Sequence, residues 1–252
     1  MRILFTICGR AGSKGIKNKN IRNFLGYQLS YYTLAAIALY QKRNTEDQME
    51  VVVSTDSEDL ISITQNNPFV PVTIIRRAEE LCGDRVAKTA VINDCLNRMQ
   101  ERTGGRYDMV VDLDLTAPLR KVSDIEKLIT VEKEKQADVT FSVTDARRNP
   151  YFNMVMQTEK GVKKVLPSDF VARQQAPAVY DMNASMYAYL PEYLHMTSNV
   201  LEGYCEIIMM EDTGILDLDH ERDFGLMEVV AKYLFDTNEG FGEIYRYIQE
   251  KV

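Results

Sequence analysis

The chain has 252 residues and a formal net charge of −7, with 45% hydrophobic and 27% charged residues, which is ordinary usage for one large globular domain. No stretch approaches the ~20 uninterrupted apolar residues of a membrane span, and no signal-peptide pattern follows the start, so we expect a cytoplasmic protein. The acidic balance argues against non-specific nucleic-acid binding, and the four cysteines, which form no C-x-x-C pair, suggest neither a disulfide framework nor a zinc site.

Apolar runs alternate with helix-period segments through the first half of the chain. The runs are apolar throughout rather than at every second position, which is typical of parallel strands covered by helices on both faces. We therefore predict an α/β fold with a doubly wound, mostly parallel sheet, in which ligands bind beyond the carboxyl ends of the strands. In chain order the segments are RILFTIC, LSYYTLAAIALY, MEVVVSTD, SEDLISITQ, PVTIIR, residues 88–102, YDMVVDLDL and SDIEKLITVEKEK.

From about residue 137 the pattern changes to short strands with few helices between them. These strands are ADVTFSVTD, NPYFNMVMQTE, GVKKVL, VYDMNASMYAYL and EIIMME. We interpret these strands as an antiparallel or mixed extension, with residues 140–190 as a smaller inserted arm used for self-association. Two helical segments, 221–235 and 239–252, close the chain. Because no repeat or low-complexity linker interrupts the sequence, residues 1–252 are expected to form a single domain that carries this arm.

The loop CGRAGSKGIKNKN, residues 8–20, combines three glycines with four cations directly after the first predicted strand. Residues 1–45 contain eight Lys or Arg and no acid, so the local potential is expected to be positive. The spacing matches neither a P-loop nor a dinucleotide fingerprint. Arg10, Lys14 and Lys19, with the glycine-rich backbone, are suited to hold a triphosphate through oriented N–H groups and Coulomb attraction. A solvated basic turn is the alternative.

Two Asp-x-Asp pairs are candidate metal ligands. Asp217 and Asp219 are two residues apart, so on an extended strand their carboxylates share one face. Paired carboxylate oxygens suit Mg²⁺, whose coordination is completed by water and phosphate; a solvated surface pair is the alternative. Asp112 and Asp114 have the same spacing at the end of a predicted strand and form the rival pair.

Eight motifs follow one another along most of the chain. They are R-A-G-S-K-G-I-K-N-K-N-I at 10–21, S-T-D at 54–56, R-A-E-E-L at 77–81, L-T-A-P-L-R at 115–120, R-N-P-Y-F-N-M-V at 148–155, R-Q-Q-A-P at 173–177, Y-D-M-N-A-S-M-Y at 180–187 and L-D-L-D at 216–219. In type and order they resemble the CMP-sialic acid synthetase family, the acylneuraminate cytidylyltransferases. The likeness is closest to the CMP-legionaminic acid synthetase branch, because Asp114 stands where the sialic acid enzymes carry glutamine. This departure leaves the sugar open.

The resemblance implies a Rossmann-like nucleotidyltransferase fold and a homodimer built through the arm. It implies that the anomeric hydroxyl of a 2-keto sugar acid attacks the α-phosphate of CTP and that pyrophosphate leaves, with Mg²⁺ as cofactor on Asp217 and Asp219. The implied catalytic residues are Arg10, Lys14 and Asp217. The implied nucleotide-binding residues are Gly12, Ser13, Lys19, Asn20, Arg77 and Asp114. The implied sugar-binding residues are Thr116, Arg173, Gln174, Asn183 and Tyr187, and Arg173 is left open to serve either its own or a neighbouring subunit.

Two other functions share these features. A metal-dependent glycosyltransferase also joins a nucleotide-binding α/β sheet to an Asp-x-Asp metal site, but it consumes a nucleotide sugar, whereas the glycine-lysine loop favours a triphosphate. A noncatalytic nucleotide-binding or assembly protein would keep the cavity without turnover. Arg10, Lys14 and both late aspartates argue against that alternative.

Overall fold

A computed structural model describes residues 1–12, 15–83, 85–197, 199–214, 218 and 220–252. A seven-stranded sheet lies at its centre. Its strands, in chain order, are β1 (Arg2–Cys8), β4 (Gln48–Thr55), β5 (Thr73–Arg76), β6 (Met109–Leu113), β7 (Val139–Asp145), β10 (Tyr180–Tyr189) and β11 (Cys205–Met209). Two hairpins stand apart from it, β2 (Asn23–Phe24) with β3 (Tyr27–Gln28), and β8 (Val155–Thr158) with β9 (Gly161–Lys164).

Seven helices accompany the sheet in the described residues. They are α1 (Leu29–Arg43), α2 (Glu58–Gln65), α3 (Lys88–Thr103), α4 (Val122–Lys135), α5 (Pro191–Met196), α6 (Glu221–Thr237) and α7 (Glu239–Lys251). Short 3₁₀ turns occur at Lys19–Ile21, Glu79–Leu81 and Arg173–Gln175. Within the described ranges, no helix is both long and apolar enough to cross a membrane.

The strand order is β11-β7-β10-β6-β1-β4-β5, and only β10 runs antiparallel to its neighbours. Both faces of the sheet are covered. Ile3, Phe5 and Ile7 of β1 join a core cluster with α1, α4, α6 and α7, while Leu4 joins a second cluster with α3 and α5. This two-sided burial explains why the strand is apolar at successive positions. The prediction of a doubly wound, mostly parallel α/β fold is confirmed.

The segment interpreted as an arm begins and ends in the central sheet. β7 and β10 pair side by side, and Asp145 is the partner of Tyr180. Residues 146–179, between these two positions, carry the separate β8–β9 hairpin. Val155 and Val162 of this hairpin are 64% and 62% exposed. Self-association through this segment stays a prediction.

Glu132, near the end of α4, is a carboxyl group with no exposed surface. The hydroxyl of Thr140 donates a hydrogen bond to one of its oxygens. Burial raises the pKa of Glu132 from 4.5 to about 7, and this hydrogen bond offsets only part of the effect. Because the folded-state pKa exceeds the unfolded value, the neutral form is favoured by folding, and the associated stability is lost as the pH rises from about 4.5 to about 7.

Replacing Glu132 with Gln keeps a neutral acceptor for Thr140 and removes the cost of burying a charge. We expect the difference in the free energy of unfolding between Glu132→Gln and wild type to shift in favour of the variant by up to about 3 kcal/mol as the pH rises from 5 to 8. Urea denaturation at the two pH values measures this gain. Glu134→Gln, an exposed site on the same helix, is the matched control. An equal difference between Glu132→Gln and wild type at both pH values would contradict the prediction.

Candidate active site

A cavity of about 310 Å³ opens where the central strands end. Cys8 at the end of β1, Arg77 after β5, Lys88 at the start of α3 and Asp114 after β6 all line it. The carboxyl ends of the parallel strands therefore meet at this cavity, as expected for an open α/β sheet. The sequence-predicted residues that it brings together are Arg10, Lys19, Asn20, Arg77, Asp114 and Thr116.

The glycine-rich loop is anchored close to the end of β1. The N–H of Gly9 donates to the carbonyl of Ser54 at 3.1 Å, and the Asn20 amide donates to the carbonyl of Arg10 at 2.9 Å. The N–H of Ala11 donates to a carboxylate oxygen of Asp56 at 2.6 Å. These contacts fix the loop on β4 and on the turn that follows β4. Asn20, which is predicted to bind the nucleotide, therefore also supports the loop through its Nδ2 atom.

Two glycines of this loop meet different constraints. A Cβ atom on Gly9 would lie 2.7 Å from a methyl carbon of Leu60 and 3.3 Å from the amide nitrogen of Asn20, so the close packing requires glycine. Gly12 has φ of +73°, a conformation that costs other L-residues roughly 1–2 kcal/mol. Gly12 lines an adjoining cavity of about 140 Å³ together with Arg10, Lys19 and Asn20.

The late part of the chain reaches the loop at Leu218. The Lys19 ammonium donates to the carbonyl of Leu218 at 2.8 Å, and the Leu218 side chain is buried in the main core cluster. Leu218 is the residue between Asp217 and Asp219. Those two aspartates, and also Ser13 and Lys14, lie outside the described residues. Their predicted metal and phosphate roles remain predictions, although the chain passes the cationic loop at position 218.

Asp112 and Asp114 share one cation. The Lys88 ammonium lies 2.7 Å from an oxygen of Asp112 and 2.9 Å from an oxygen of Asp114. Asp112 has no exposed surface and accepts a hydrogen bond from the hydroxyl of Thr6 at 2.8 Å. The rival metal pair of the sequence analysis thus shares one ammonium, which compensates one of its two negative charges.

Asp114 is held at both carboxylate oxygens. Lys88 contacts one oxygen, while the N–H and the hydroxyl of Thr116 donate to the other at 2.8 and 2.7 Å. Burial opposes ionisation, but the charge of Lys88 and the hydrogen bonds from Thr116 outweigh it, and the pKa of Asp114 lies below its usual value. Asp114 is therefore a fixed carboxylate in the wall of a cavity whose other charged residues, among those that the structure describes, are cations.

A second, smaller cavity of about 30 Å³ adjoins the first. Thr116 lines both cavities, and Leu218 lines the smaller one. Asn183 reaches this cavity from β10, where the pairing register shifts between Met182 and Tyr187. The Asn183 amide oxygen accepts a hydrogen bond of 2.6 Å from the buried hydroxyl of Ser142. The predicted sugar residues Thr116 and Asn183 are thus brought together.

The other predicted sugar residues lie elsewhere. Arg173 lines a separate cavity of about 250 Å³, where it donates to the carbonyl of Ala146 at 2.6 Å. Gln174 is exposed in the same 3₁₀ turn. Tyr187 stacks on Tyr189, with ring centroids 5.9 Å apart, on the sheet face covered by α3 and α5. Within this one chain, these three side chains do not line the cationic cavity.

A model of the cytidylyltransferase family matches residues 4–233. The chain belongs to the cytidylyltransferase family. It is 35% identical over 230 residues to post-translational flagellin modification protein B of Campylobacter coli, covering 91% of this chain and 95% of the relative. It is 36% identical over 226 residues to CMP-N,N'-diacetyllegionaminic acid synthase of Campylobacter jejuni, covering 90% and 93%.

Solved structures show the same fold. One is a CMP:2-keto-3-deoxy-manno-octonic acid synthetase in complex with CTP, with a TM-score of 0.63 at 13% identity over 92% of this chain and 99% of that one. At this identity the likeness establishes the fold alone. The family match and the relative from Campylobacter jejuni confirm the prediction that this chain is a CTP-dependent nucleotidyltransferase enzyme rather than a glycosyltransferase or a noncatalytic binding protein.

Sequence reasoning missed two cations of the cytidylyltransferase. Lys88 was assigned only to a helix, and Arg120 was only part of a motif. The Arg120 side chain is buried and donates from Nε to the carbonyl of Ala117 at 3.1 Å, and from Nη2 to the carbonyls of Ala117 and Asp114. It therefore holds the loop that presents Asp114 and Thr116. A signal for Lys88 was available, because a lysine at the first position of a helix opposes the helix dipole.

Gly9→Ala tests the close packing beneath the loop. The added methyl group would displace Leu60 and the Asn20 amide, so we expect a loss of about 1–3 kcal/mol of stability, as for other overpacked sites, together with weaker CTP binding. Thermal unfolding and calorimetric CTP titration measure the two effects. Gly83→Ala is the control, because Gly83 lines the same cavity and its new Cβ would meet only a methyl of Val86 at 3.4 Å. Equal behaviour of the two variants would refute this account.

Proposed function

We propose that this cytidylyltransferase couples CTP to a nine-carbon 2-keto sugar acid of the legionaminic type and releases a CMP-sugar and pyrophosphate. One geometric observation carries the proposal: a cavity lined by Arg10, Lys19 and Arg77 adjoins a smaller cavity that Asn183 reaches, and Thr116 is common to both. The cationic cavity suits the triphosphate. The relative from Campylobacter jejuni, named CMP-N,N'-diacetyllegionaminic acid synthase, supports the choice of sugar.

The reaction needs charge stabilisation and alignment more than covalent catalysis. When the sugar hydroxyl attacks the α-phosphate, negative charge develops on the phosphate oxygens and on the leaving pyrophosphate. The guanidinium of Arg10 can pair with two phosphate oxygens, and Lys14 and Lys19 supply point charges. Arg77 is anchored by a hydrogen bond of 2.9 Å to the carbonyl of Ser54, which holds its charge at the cavity wall.

A divalent ion is part of the proposal. Among the side chains that the structure describes, no group of three or more His, Cys, Asp or Glu could hold a metal ion, so the site depends on Asp217 and Asp219. Carboxylate oxygens suit Mg²⁺, and Leu218, between the two, lies against Lys19. When bound, Mg²⁺ would polarise the phosphate as a Lewis acid.

The arm is proposed to complete the sugar site in a homodimer. Arg173 lines its own cavity and Gln174 is exposed, which is consistent with both residues serving a neighbouring copy. The exposed apolar side chains of the β8–β9 hairpin, including Val155 and Val162, offer a surface for that copy.

The direct test incubates the purified protein with CTP, Mg²⁺ and a panel of acids: legionaminic, sialic and 2-keto-3-deoxy-manno-octonic. We expect a CMP-sugar by mass and stoichiometric pyrophosphate, with kcat/KM for the legionaminic acid at least about tenfold higher than for the others, a difference of about 1.4 kcal/mol. EDTA should stop turnover and Mg²⁺ restore it. Absence of pyrophosphate release with every acid would overturn the proposal, and so would a preference for the eight-carbon acid.

Lys19→Met tests the cation that joins the loop to Leu218. The variant loses a charge in the cavity and a hydrogen bond to a carbonyl. We expect the KM for CTP to rise by about tenfold or more, in line with the worth of a charge-assisted hydrogen bond. Lys17→Met removes the same charge from an exposed position of the same loop and should stay within about twofold of wild type. Steady-state kinetics with varied CTP would contradict the assignment if both variants behaved alike.

A further inference from the structure

Lys88 occupies a position that is unfavourable for a lysine. It is the first residue of α3, where the helix dipole places partial positive charge, and the preceding Ala87 provides no side-chain cap. Its side chain is only 35% exposed. A cation in such a place requires strong local compensation. The carboxylates of Asp112 and Asp114, within 2.9 Å of its ammonium, supply that compensation.

The three charged groups depend on one another. Asp112 is fully buried, so removal of the ammonium would leave two carboxylates facing each other in a region of low polarity. Like charges at such a short separation raise one pKa strongly. Burial lowers the pKa of Lys88, but the charges of Asp112 and Asp114 more than reverse this effect. The ammonium is therefore a permanent bridge between the two acids.

The bridge fixes the direction of Asp114. Lys88 holds one carboxylate oxygen and Thr116 the other. The Asp114 backbone is also tied, because its N–H donates to the carbonyl of Ser185 at 2.9 Å and its carbonyl accepts from Arg120. A carboxylate at this wall repels phosphate oxygens. The part of the ligand that lies against it must therefore carry hydrogen-bond donors.

We propose that Lys88 is a positioning residue of the cytidylyltransferase site: by bridging Asp112 and Asp114, it keeps the Asp114 carboxylate charged and oriented to accept a hydrogen bond from a hydroxyl or amino group of the substrate. This assignment rests on the proposed function, because it takes the cavity to be the CTP site. The partner of Asp114 is a neutral donor on the nucleoside or the sugar, and not a phosphate.

Asp114 has charged and titratable neighbours on several elements. Those that face it or its bridging lysine are Lys88 of α3, Asp112 of β6, Arg120 before α4, Cys8 of β1 and Tyr189 of β10; Arg10, Lys19 and Arg77 line the same cavity. Removing the charge of Lys88 leaves the Asp114 carboxylate beside the negative charge of Asp112 without the ammonium between them. The pKa of Asp114 then rises, so the substrate-binding anion is lost at acidic pH and regained at alkaline pH.

The test compares kcat/KM for CTP in Lys88→Gln, Lys88→Arg and wild type at about pH 6 and about pH 8.5. Each value is taken relative to wild type at the same pH, which cancels the titration of CTP. We expect Lys88→Gln to lose more kcat/KM at the lower pH than at the higher, by about tenfold for each unit by which the pKa of its Asp114 exceeds the lower pH. Lys88→Arg keeps the positive charge, so its kcat/KM relative to wild type should be the same at both pH values.

A double variant and a direct titration distinguish a positioning role of Lys88 from a folding defect. Lys88→Gln with Asp112→Asn removes the buried acid that the single variant leaves unpaired, so it should fold and should show a smaller acid-side loss than Lys88→Gln. NMR of ¹³C-carboxyl-labelled aspartate, with Asp114→Asn to assign the resonance, reports the titration of Asp114 without turnover. We expect the Asp114 resonance to titrate at a higher pH in Lys88→Gln than in wild type.

Two outcomes overturn the assignment of Lys88. One is an equal loss of kcat/KM at both pH values, which a purely structural role would give. The other is an unchanged titration of the Asp114 resonance in Lys88→Gln. Failure of the proposed function gives a different result, because wild type would then form no CMP-sugar with any acid while the NMR titration would still shift with the Lys88 charge.

Discussion

The accumulation of positive charge at the carboxyl ends of the central strands is the constraint on which the site depends. Arg10, Lys19, Arg77 and Lys88 line one cavity in a protein whose net charge is −7. Such cations repel one another, and each is held by contacts to backbone carbonyls or carboxylates rather than left in solvent. Lys19 contacts Leu218, Arg77 contacts Ser54, and Lys88 contacts two aspartates. The fold thus arranges the charge in advance of any anionic ligand.

The proposed division between a wall that faces the phosphates and a wall that faces hydrogen-bond donors rests on the same contacts. Arg10 and Lys19 lie on the glycine-rich loop, whereas Asp114 and Thr116 lie on the loop after β6. Arg120 holds that second loop through backbone carbonyls alone. The only carboxylate in the described wall of the 310 Å³ cavity is paired. The cavity therefore keeps its attraction for anions although it includes an acid.

Much of the fold was predictable because a strand that is buried on both faces leaves a run of apolar residues in the sequence. The strand β1 lies between two core clusters, and five of its seven residues are apolar, so a parallel sheet was readable from sequence. The place of β10 between β7 and β6 was not readable, because β10 follows the irregular segment 146–179 and its register shifts between Met182 and Tyr187. NPYFNMVMQTE also proved shorter as a strand, since only Val155–Thr158 pairs with β9.

The site was predictable where a motif placed the residue on a loop that follows a strand. Arg10, Lys19, Asn20, Arg77 and Asp114 all line the cavity for this reason. From sequence, Lys88 stood out only as a lysine at the start of a helix. Its role in the site was not predictable, because that role arises from Asp112 and Asp114, which lie more than twenty positions away along the chain. Arg173 and Tyr187 could not be placed either, since their surroundings depend on the path of the arm and on the register of β10.

The pairing of Asp145 with Tyr180 has a consequence for how this architecture can diversify. The chain leaves the sheet and returns to it at neighbouring positions, so residues 146–179 form an excursion whose two stems are already joined by β-ladder hydrogen bonds. Exchange, shortening or extension of such an excursion leaves strand order and register untouched. Variation in oligomer contacts or in acceptor preference could therefore accumulate there while the phosphate-binding end stays constant.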